Sequence, residues 1–314
     1  MSDFVTHVIT PEEAGERLDK LVARVAGVSR QRAMALIEER RVRVDHRRLR
    51  KGDRAEPGAV VVVELPPSEA PVPEPERALV VLREDALLLA LDKPAGESMH
   101  PLSAGETGTL ANAVVARFPD VAGTSEEVRC PGLVHRLDRE TSGVVLWARS
   151  REAHAYLREQ FSIHTVEKRY LALVDGLVEG AGELNVPLAH DPKNAAKMLA
   201  APYPAEAEAL DARPALTRYE AISHGPDATL VAVEIPTGVM HQIRAHFAFV
   251  GHPVMGDALY GGRELPGLTR HLLHASAIAF QHPDGSGRVR VESPMPAAFV
   301  EAMRTLGVPE PTAT

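Results

Sequence analysis

A proline-rich segment divides the chain into two parts of unequal length. Five of the ten residues from Pro66 to Pro75 (PPSEAPVPEP) are proline. Because proline fixes φ and lacks an amide donor, neither a helix nor the interior of a sheet continues through such a segment. The sequence therefore predicts a small N-terminal domain over residues 10–66, an extended, semi-rigid linker over 67–77, and a larger domain over 78–305.

Charge is distributed unevenly between these parts. The whole chain has 35 Lys and Arg residues against 43 Asp and Glu residues, a net charge of −8. The segment from Glu16 to Arg54 has 13 basic and six acidic residues, a net of +7, so the remainder carries −15. This asymmetry indicates a basic binding module attached to an acidic body. A solvated, arginine-rich surface would explain the same numbers equally well.

Simple features of the sequence exclude several classes of protein. No apolar run approaches the roughly 18 residues of a membrane span, and the first residues (MSDFVTHVIT) lack the basic-then-apolar layout of a signal peptide. Cys130 is the single cysteine and cannot form an internal disulfide. We therefore expect a cytoplasmic protein with no membrane attachment and no zinc knuckle.

Two helices and two strands are predicted in the N-terminal domain. Apolar residues recur at helical spacing from Leu18 to Val25, and Ser29 is a suitable N-cap for a second helix. The alternating valines of 42–44 and the apolar run 59–65 (AVVVVEL) predict strands. Basic side chains on and just after the second helix form a basic edge that comprises Arg30, Arg32, Arg40, Arg41 and Arg43.

In the larger domain, short apolar segments alternate with glycine and proline turns, and helical segments are few. Helical periodicity is present over 109–118 and, behind a Ser150 N-cap, over 152–161. These elements do not repeat as β-α-β-α units, so the sequence predicts a mixed α+β fold rather than a doubly wound parallel sheet. The predicted strands span residues 86–94, 143–148, 169–176 and 229–235.

The densest polar segment is residues 132–143 (GLVHRLDRETSG), directly before a predicted strand. Asp138 lies between Arg136 and Arg139, and cations within about 4–6 Å hold a carboxylate in its ionised form. An ionised carboxylate in a dry pocket can be a nucleophile or a general base. The same residues are typical of a salt-bridged turn, which is the favoured interpretation without other information.

A second polar segment, residues 237–247 (TGVMHQIRAHF), predicts a helix between Pro236 and a C-terminal cap at Gly251. His241 and Arg244 lie three residues apart, so both can point into one cleft. A buried arginine there needs an acidic partner. No zinc-hydrolase, nucleophile-elbow or phosphate-loop motif accompanies them. The residues of this helix that are predicted to be core are Ile243, Phe247 and Val250.

Six segments, taken in order, resemble the RluA family of pseudouridine synthases, and their spacing matches over residues 79–302. The H-R-L-D-x-x-T-S-G element at 135–143 is the most specific of them. Residues 16–65 similarly resemble a small RNA-binding domain first described in a ribosomal small-subunit protein, although Arg41 stands where that domain usually has glycine. The six segments are LDKPAGESMHP (91–101), GLVHRLDRETSG (132–143), EKRYLALVDG (167–176), TGVMHQIRAH (237–246), GDALYGG (256–262) and LLHASAIAFQHP (272–283).

This resemblance implies a fold, an activity and a set of site residues. The fold would be an α+β catalytic domain with a mixed, mainly antiparallel sheet, and the activity the conversion of uridine in RNA to pseudouridine. Asp138 matches the essential aspartate of the family, and Arg244 an arginine that pairs with it. Tyr170 matches a tyrosine that stacks on the target base, and Arg136 an arginine that fills the space left by the flipped base.

The resemblance also implies RNA as the partner and no cofactor or metal, since the isomerisation is redox-neutral. We expect a monomer acting on large-subunit ribosomal RNA, with transfer RNA as the alternative. Val239 stands where the family usually has arginine, which predicts the loss of one phosphate or structural contact. The further RNA-binding residues expected are His135, His241 and Gln242 in the larger domain and Arg30, Arg32, Arg41 and Arg43 in the basic edge.

Two other classes of protein remain open at this point. A catalytically silent RNA-binding or ribosome-assembly factor would keep the same fold; Val239 favours it, whereas the intact Asp138, Tyr170 and Arg244 argue against it. A glycoside hydrolase would need a second carboxylate within about 5–10 Å of Asp138. The sequence does not single one out.

Overall fold

The computed structural model describes residues 3–45, 47–49, 52–66, 68–268 and 270–311. The contacts within the chain separate two compact units, Met1–Glu69 and Ala70–Thr314, and the division falls inside the proline-rich segment. Among the helices of the described ranges, none is long and apolar enough to cross a membrane.

The N-terminal unit is a four-stranded antiparallel sheet with two helices. Its strand order is β1-β4-β2-β3. The second helix begins as predicted, because the Ser29 hydroxyl accepts a hydrogen bond of 3.2 Å from the amide of Arg32. Leu21, Leu36 and Val61 are fully buried and centre one apolar core between helices and sheet. The elements are β1 (Asp3–Val8), α1 (Leu18–Val25), α2 (Arg30–Glu38), β2 (Val42–Val44), β3 (Arg47–Arg48) and β4 (Val60–Leu65).

The C-terminal unit is built on a nine-stranded mixed sheet, which confirms the predicted α+β fold. The strand order is β5-β6-β7-β14-β8-β13-β12-β9, with β15 paired to the second half of β14. Among the described strands, only β7 and β14 pair in parallel. The strands are β5 (Val80–Glu84), β6 (Leu88–Lys93), β7 (Ser142–Ala148), β8 (Glu167–Asp175), β9 (Ala181–Asn185), β10 (Leu188–Asp191), β11 (Asn194–Ala200), β12 (Leu216–His224), β13 (Ala228–Glu234), β14 (Leu273–Gln281) and β15 (Arg288–Glu292).

Helices cover both faces of this sheet. Successive residues of a strand point to opposite faces, and the apolar runs of β6 and β7 therefore serve two separate cores. Leu89 and Trp147 pack with α3 and α6 on one face, whereas Leu88 and Leu146 pack with α4 on the other. The helices are α3 (Leu110–Arg117), α4 (Arg151–Ser162), α5 (Pro204–Ala209), α6 (Gln242–Phe249) and α7 (Ala297–Thr305). Strands β10 and β11 form a separate hairpin.

The second half of the proline-rich segment is bound to α3. The Asn112 side-chain amide donates to the carbonyl of Val72 at 2.8 Å, and the Glu74 amide donates to the Asn112 carbonyl at 3.1 Å. The Glu74 carboxylate accepts from the amide of Gly108 at 2.7 Å. Residues from Val72 onward are therefore held by the C-terminal unit.

Helix α6 differs from its predicted form at both ends. It begins at Gln242, because His241 takes a left-handed conformation with φ of 53° and is the N-cap. Ile243 and Phe247 are buried as predicted. The prediction for Val250 was wrong: its side chain is 39% exposed, because the helix has already ended at Phe249.

Candidate active site

The C-terminal unit contains an open cavity of about 450 Å³. Its walls come from elements that are distant in sequence: the loop before β7, the end of α4, the start of β8, and the turn that leads into α6. Both polar segments identified from the sequence thus meet at one place. The polar lining residues are His135, Arg136, Asp138, Thr141, Arg158, His164, Lys168, Tyr170, Arg213, His241, Gln242 and Arg244.

Asp138 and Arg244 form an ion pair in this cavity. Nη1 of Arg244 donates to Oδ2 of Asp138 at 2.9 Å. A buried arginine needs an acidic partner, and Arg244 has two. Asp257 also binds the guanidinium, with Nε–Oδ2 at 2.6 Å and Nη2–Oδ1 at 2.9 Å. Asp257 was not identified from the sequence as a site residue. The only feature of the sequence that marks Asp257 is its position in the glycine-rich segment 256–262.

The charge of Arg244 is secured by these carboxylates. Burial by itself would lower the pKa of Arg244, but the hydrogen bonds and charge of Asp257, followed by those of Asp138, raise the pKa above its ordinary value. The ring of Tyr260 lies under the guanidinium, with Cζ 5.1 Å from the ring centroid. Arg244 is thus a fixed cation beside Asp138.

The turn before α6 is held by Gln242. Its amide nitrogen donates to the carbonyl of Leu216 at 2.8 Å and to the hydroxyl of Thr217 at 3.1 Å. Its amide oxygen accepts from the Thr237 hydroxyl at 2.9 Å and from the Val239 amide at 3.1 Å. Only 3% of Gln242 is exposed. Every polar position of the side chain is used internally, and the RNA contact expected from the sequence stays a prediction.

The ring of His241 lies between Asp138 and Tyr260. Its Nε2 is 3.7 Å from Oδ2 of Asp138, and its Nδ1 is 3.2 Å from the Tyr260 hydroxyl. Burial lowers the pKa of His241, although the charge of Asp138 acts in the opposite direction. A non-glycine residue with positive φ at a cavity is a position where the surrounding structure enforces a costly conformation.

Lys93 fixes the loop that carries Asp138. This fully buried lysine donates to the carbonyls of Pro94 at 2.9 Å, Glu97 at 2.8 Å and Arg139 at 2.8 Å. Burial lowers the pKa of Lys93 to about 8. Although Lys93 belongs to a segment that carries the family resemblance, its task was not predicted. It ties the chain next to Asp138 to the end of β6.

His135 and Tyr170 both line the cavity. Nε2 of His135 accepts from the Leu146 amide at 3.0 Å, its ring stacks on Phe161 with centroids 4.8 Å apart, and burial lowers its pKa to about 3. These contacts give His135 a structural task, and its expected RNA contact stays a prediction. Tyr170 is 8% exposed, and burial raises its pKa, with a further contribution from Asp138. Both side chains are neutral at pH 7.

Four cations of the cavity have no acidic partner among the described residues: Arg136, Arg158, Lys168 and Arg213. Arg158 donates to the carbonyl of Val134, and Lys168 to the carbonyl of Thr237, each at 2.9 Å. Burial lowers the pKa of Lys168 to about 8. Because Asp138 and Asp257 are already paired with Arg244, this cavity has a surplus of positive charge in a chain with net charge −8.

The basic edge of the N-terminal unit is partly neutralised by ion pairs. Asp19 accepts from Arg30 at 3.0 Å, Arg32 pairs with Glu39 at 2.9 Å, and Arg41 pairs with Glu64 at 3.0 Å. Arg43 lies exposed on β2. Arg30 and Arg32 are themselves about half exposed, so their guanidinium groups remain accessible to an anion.

The described residues contain no group of three or more His, Cys, Asp or Glu side chains placed to hold a metal ion. A second carboxylate does lie near Asp138, as a glycoside hydrolase would require, because both Asp138 and Asp257 bind Arg244. However, Asp257 is 1% exposed and both of its oxygens are occupied. Asp257 therefore cannot deliver a proton to a sugar or activate a water, and the geometry argues against that class.

Comparison with other sequences points to one enzyme family. The family described as RNA pseudouridylate synthase matches residues 87–249, and the S4 domain matches residues 16–61. The chain is 36% identical over 305 residues to an uncharacterized RNA pseudouridine synthase of Chloroflexus aurantiacus, covering 95% of this chain and 92% of that protein. It is 32% identical over 318 residues to ribosomal large subunit pseudouridine synthase D of Pseudomonas aeruginosa, covering 96% and 95%.

Solved structures show the same fold. Human RNA pseudouridylate synthase domain containing 4 superposes with a TM-score of 0.59 at 21% identity, over 74% of this chain and 95% of that one. Human RNA pseudouridylate synthase domain containing 1 superposes with a TM-score of 0.56 at 22% identity, over 76% and 100%.

Proposed function

The chain belongs to the RNA pseudouridylate synthase family and isomerises uridine in RNA, and on this premise we propose that its substrate is large-subunit ribosomal RNA and its catalytic residue Asp138. The observation that carries the second part is the ion pair between Asp138 and Arg244 inside the cavity. It joins the two polar segments of the sequence in one site and places a carboxylate beside a fixed cation where a base can enter.

The reaction itself needs such a carboxylate. The bond between uracil N1 and ribose C1′ breaks, the uracil turns, and a bond forms between its C5 and C1′. The proton on C5 leaves and N1 gains one, so the change is redox-neutral. An ionised aspartate can attack C1′, attack the pyrimidine ring, or remove a proton from the sugar. Asp138 is the essential group in each of these routes.

A uridine within folded RNA must leave its stack to reach Asp138, at a cost of a few kcal/mol. We propose that Tyr170 supplies the stacking face for the flipped base, since its ring lines the cavity and its hydroxyl stays protonated. Arg136 is exposed at the same cavity, two residues from Asp138, and has no acidic partner among the described residues. It is suited to replace the flipped base in the RNA stack.

Two features support RNA binding outside the target nucleotide. Three of the four cavity cations that have no acidic partner among the described residues, Arg158, Lys168 and Arg213, are suited to the phosphates that flank the target. Because Val239 has no charge, these three side chains make most of the contacts with the flanking phosphates. In the S4 domain, the accessible Arg30 and Arg32, with Arg41 and Arg43, are suited to further phosphates of the RNA.

The substrate is inferred from relatives. The Pseudomonas aeruginosa protein, which is similar over nearly its whole length, is named for the ribosomal large subunit. We infer that this chain acts on the same class of RNA, as a monomer in the cytoplasm. Transfer RNA is the alternative substrate.

The decisive experiment maps pseudouridine in total ribosomal and transfer RNA by carbodiimide-stop sequencing. Three strains are compared: the wild type, a deletion of the gene, and the deletion complemented with Asp138→Asn. We expect one or a few large-subunit sites to disappear in both altered strains. Sites that disappear only from transfer RNA would reassign the substrate. Sites that return with Asp138→Asn would exclude Asp138 as the catalytic residue, and an unchanged map would favour a silent RNA-binding factor.

A further inference from the structure

Asp257 is buried beside the active site without lining it. Its side chain is 1% exposed, and both of its oxygens accept hydrogen bonds from Arg244. It is outside the set of residues that form the wall of the cavity. Asp257 therefore does not contact a bound nucleotide, and any effect that it has on the reaction passes through Arg244.

The two carboxylates share the guanidinium unequally. The Nε and Nη2 hydrogens of an arginine form a parallel pair that matches the two oxygens of a carboxylate. Asp257 occupies this edge of Arg244, with distances of 2.6 and 2.9 Å. Asp138 receives a single hydrogen bond, from Nη1 to Oδ2 at 2.9 Å. Among the described residues, no hydrogen bond reaches Oδ1 of Asp138.

We propose that Asp257 is a positioning residue: it occupies the bidentate edge of Arg244, so that Asp138 is held by one oxygen and keeps the other for the reaction. This inference rests on the proposed roles of Asp138 and Arg244. A carboxylate that accepts hydrogen bonds from an arginine at both oxygens is stabilised as an anion at both atoms, which makes it a weaker nucleophile and a weaker base. Asp257 prevents Arg244 from forming such a bidentate pair with Asp138.

A glycine-rich turn sets the place of Asp257. The carbonyl of Asp257 accepts from the amides of Tyr260 at 3.1 Å and Gly262 at 2.9 Å, and its own amide donates to Val254 at 3.1 Å. A Cβ at Gly262 would overlap the carbonyl oxygen of Val254, so the turn requires glycine there. The backbone thus holds Asp257 in place independently of Arg244. A residue that orients another side chain needs such independent support.

The first test uses Asp257→Asn and Asp257→Glu. Single-turnover tritium release is measured on large-subunit ribosomal RNA transcripts labelled with [5-³H]uridine, and RNA affinity is measured by filter binding. We expect Asp257→Asn to lower the rate constant by about 10²-fold, as displacement of a catalytic group does, while the dissociation constant changes less than about threefold. Asp257→Glu should recover at least about tenfold of the lost rate. Equal rates for Asp257→Asn and the wild type overturn the proposal.

A double-mutant cycle separates positioning from mere structure. If Asp257 acts through Arg244, then Asp257→Asn in an Arg244→Gln background lowers the rate less than about threefold further. The double variant removes both members of the buried pair and therefore leaves no unpaired buried charge. A loss of the same size in both backgrounds overturns the proposal.

A crystal structure of Asp257→Asn gives a readout that does not depend on activity. We expect the guanidinium of Arg244 to turn and bind both oxygens of Asp138; an unmoved guanidinium overturns the proposal. If the wild type releases no tritium from any RNA, the proposed function fails instead, and this structure alone decides the role of Asp257.

Discussion

Arg244 donates one hydrogen bond to Asp138 and two to Asp257, although Arg244 lies 106 positions after Asp138 in the chain. The position of the guanidinium therefore depends mainly on Asp257. Asp138, with 27% of its side chain exposed, is the partner that faces the cavity. Under the proposed function, chemistry and structural support are divided between two carboxylates, and each can be removed separately.

Asp138→Asn should abolish isomerisation without unfolding the protein. The asparagine oxygen can still accept from Nη1, and Arg244 keeps Asp257 as its counterion. We expect the rate of tritium release from [5-³H]uridine RNA to fall about 10⁴-fold or more. The melting temperature and RNA affinity should stay near those of the wild type. Measurable turnover by a homogeneous sample of this variant would contradict the assignment of Asp138.

Two substitutions of Tyr170 separate its ring from its hydroxyl. Stacking of a base on an aromatic ring contributes about 1–3 kcal/mol. Tyr170→Phe keeps the ring, so RNA affinity should stay within about threefold of the wild type. Tyr170→Leu loses the ring and should weaken binding by about 5- to 150-fold. Filter binding with a large-subunit RNA transcript measures both. Equal affinities for the two variants would exclude the stacking role.

Arg213→Gln should weaken RNA binding and reduce its salt dependence. Arg213 lines the cavity with no acidic partner among the described residues, so its charge is available to a phosphate. Removing one phosphate contact lowers the slope of log affinity against log salt by about one. Arg218→Gln is the matched control, since Arg218 already binds Glu183 at 2.7 Å. Identical slopes for the two variants would remove Arg213 from the interface.

Deletion of residues 1–66 should affect binding more than chemistry. Each unit has its own apolar core, so we expect the C-terminal unit to remain folded. RNA affinity should fall and the salt slope should decrease, because the phosphate contacts of the S4 domain are lost. The single-turnover rate at saturating enzyme should stay within about threefold. A parallel loss of rate would mean that the S4 domain takes part in catalysis.

Much of the fold follows from short-range sequence signals. The Ser29 and Ser150 caps begin α2 and α4 as predicted, and the apolar runs of β6 and β7 are strands. In contrast, β14 was not predicted, although it lies in the middle of the sheet. Its sequence (LHASAIAFQ) is buried on both faces and lacks the alternation that marks a half-buried strand. Its pairing with β7, β8 and β15 makes it a strand.

The three catalytic candidates that were identified from the sequence lie in three separate segments. Asp138, Tyr170 and Arg244 were identified through resemblance, and the structure brings all three to one cavity. Asp257 was not found, because an acidic residue in a glycine-rich turn is ordinary until its partner is known. The internal role of Gln242 was missed for the same reason: its hydrogen bonds reach β12, a strand that was not predicted.

His271 makes the stability of the C-terminal unit depend on pH. It is 5% exposed and contacts the Thr141 hydroxyl at 2.8 Å. Burial, with a smaller effect of the Arg244 charge, lowers the pKa of His271 to about 4, whereas an unfolded histidine has a pKa of about 6.5. Between these values the unfolded chain binds the proton and the folded chain does not, so the free energy of unfolding decreases as pH falls.

The decrease that His271 causes between pH 6.5 and 4.5 is about 2 kcal/mol. Urea unfolding followed by fluorescence measures the free energy of unfolding of the C-terminal unit, because Trp147 is the single tryptophan and is fully buried in that unit. The matched control is His271→Gln, which cannot titrate. Its free energy of unfolding should fall less steeply over the same range, although His135, His246 and His274, whose pKa values burial also lowers, still contribute. The same slope in both proteins would show that His271 takes up its proton equally in the folded and unfolded states.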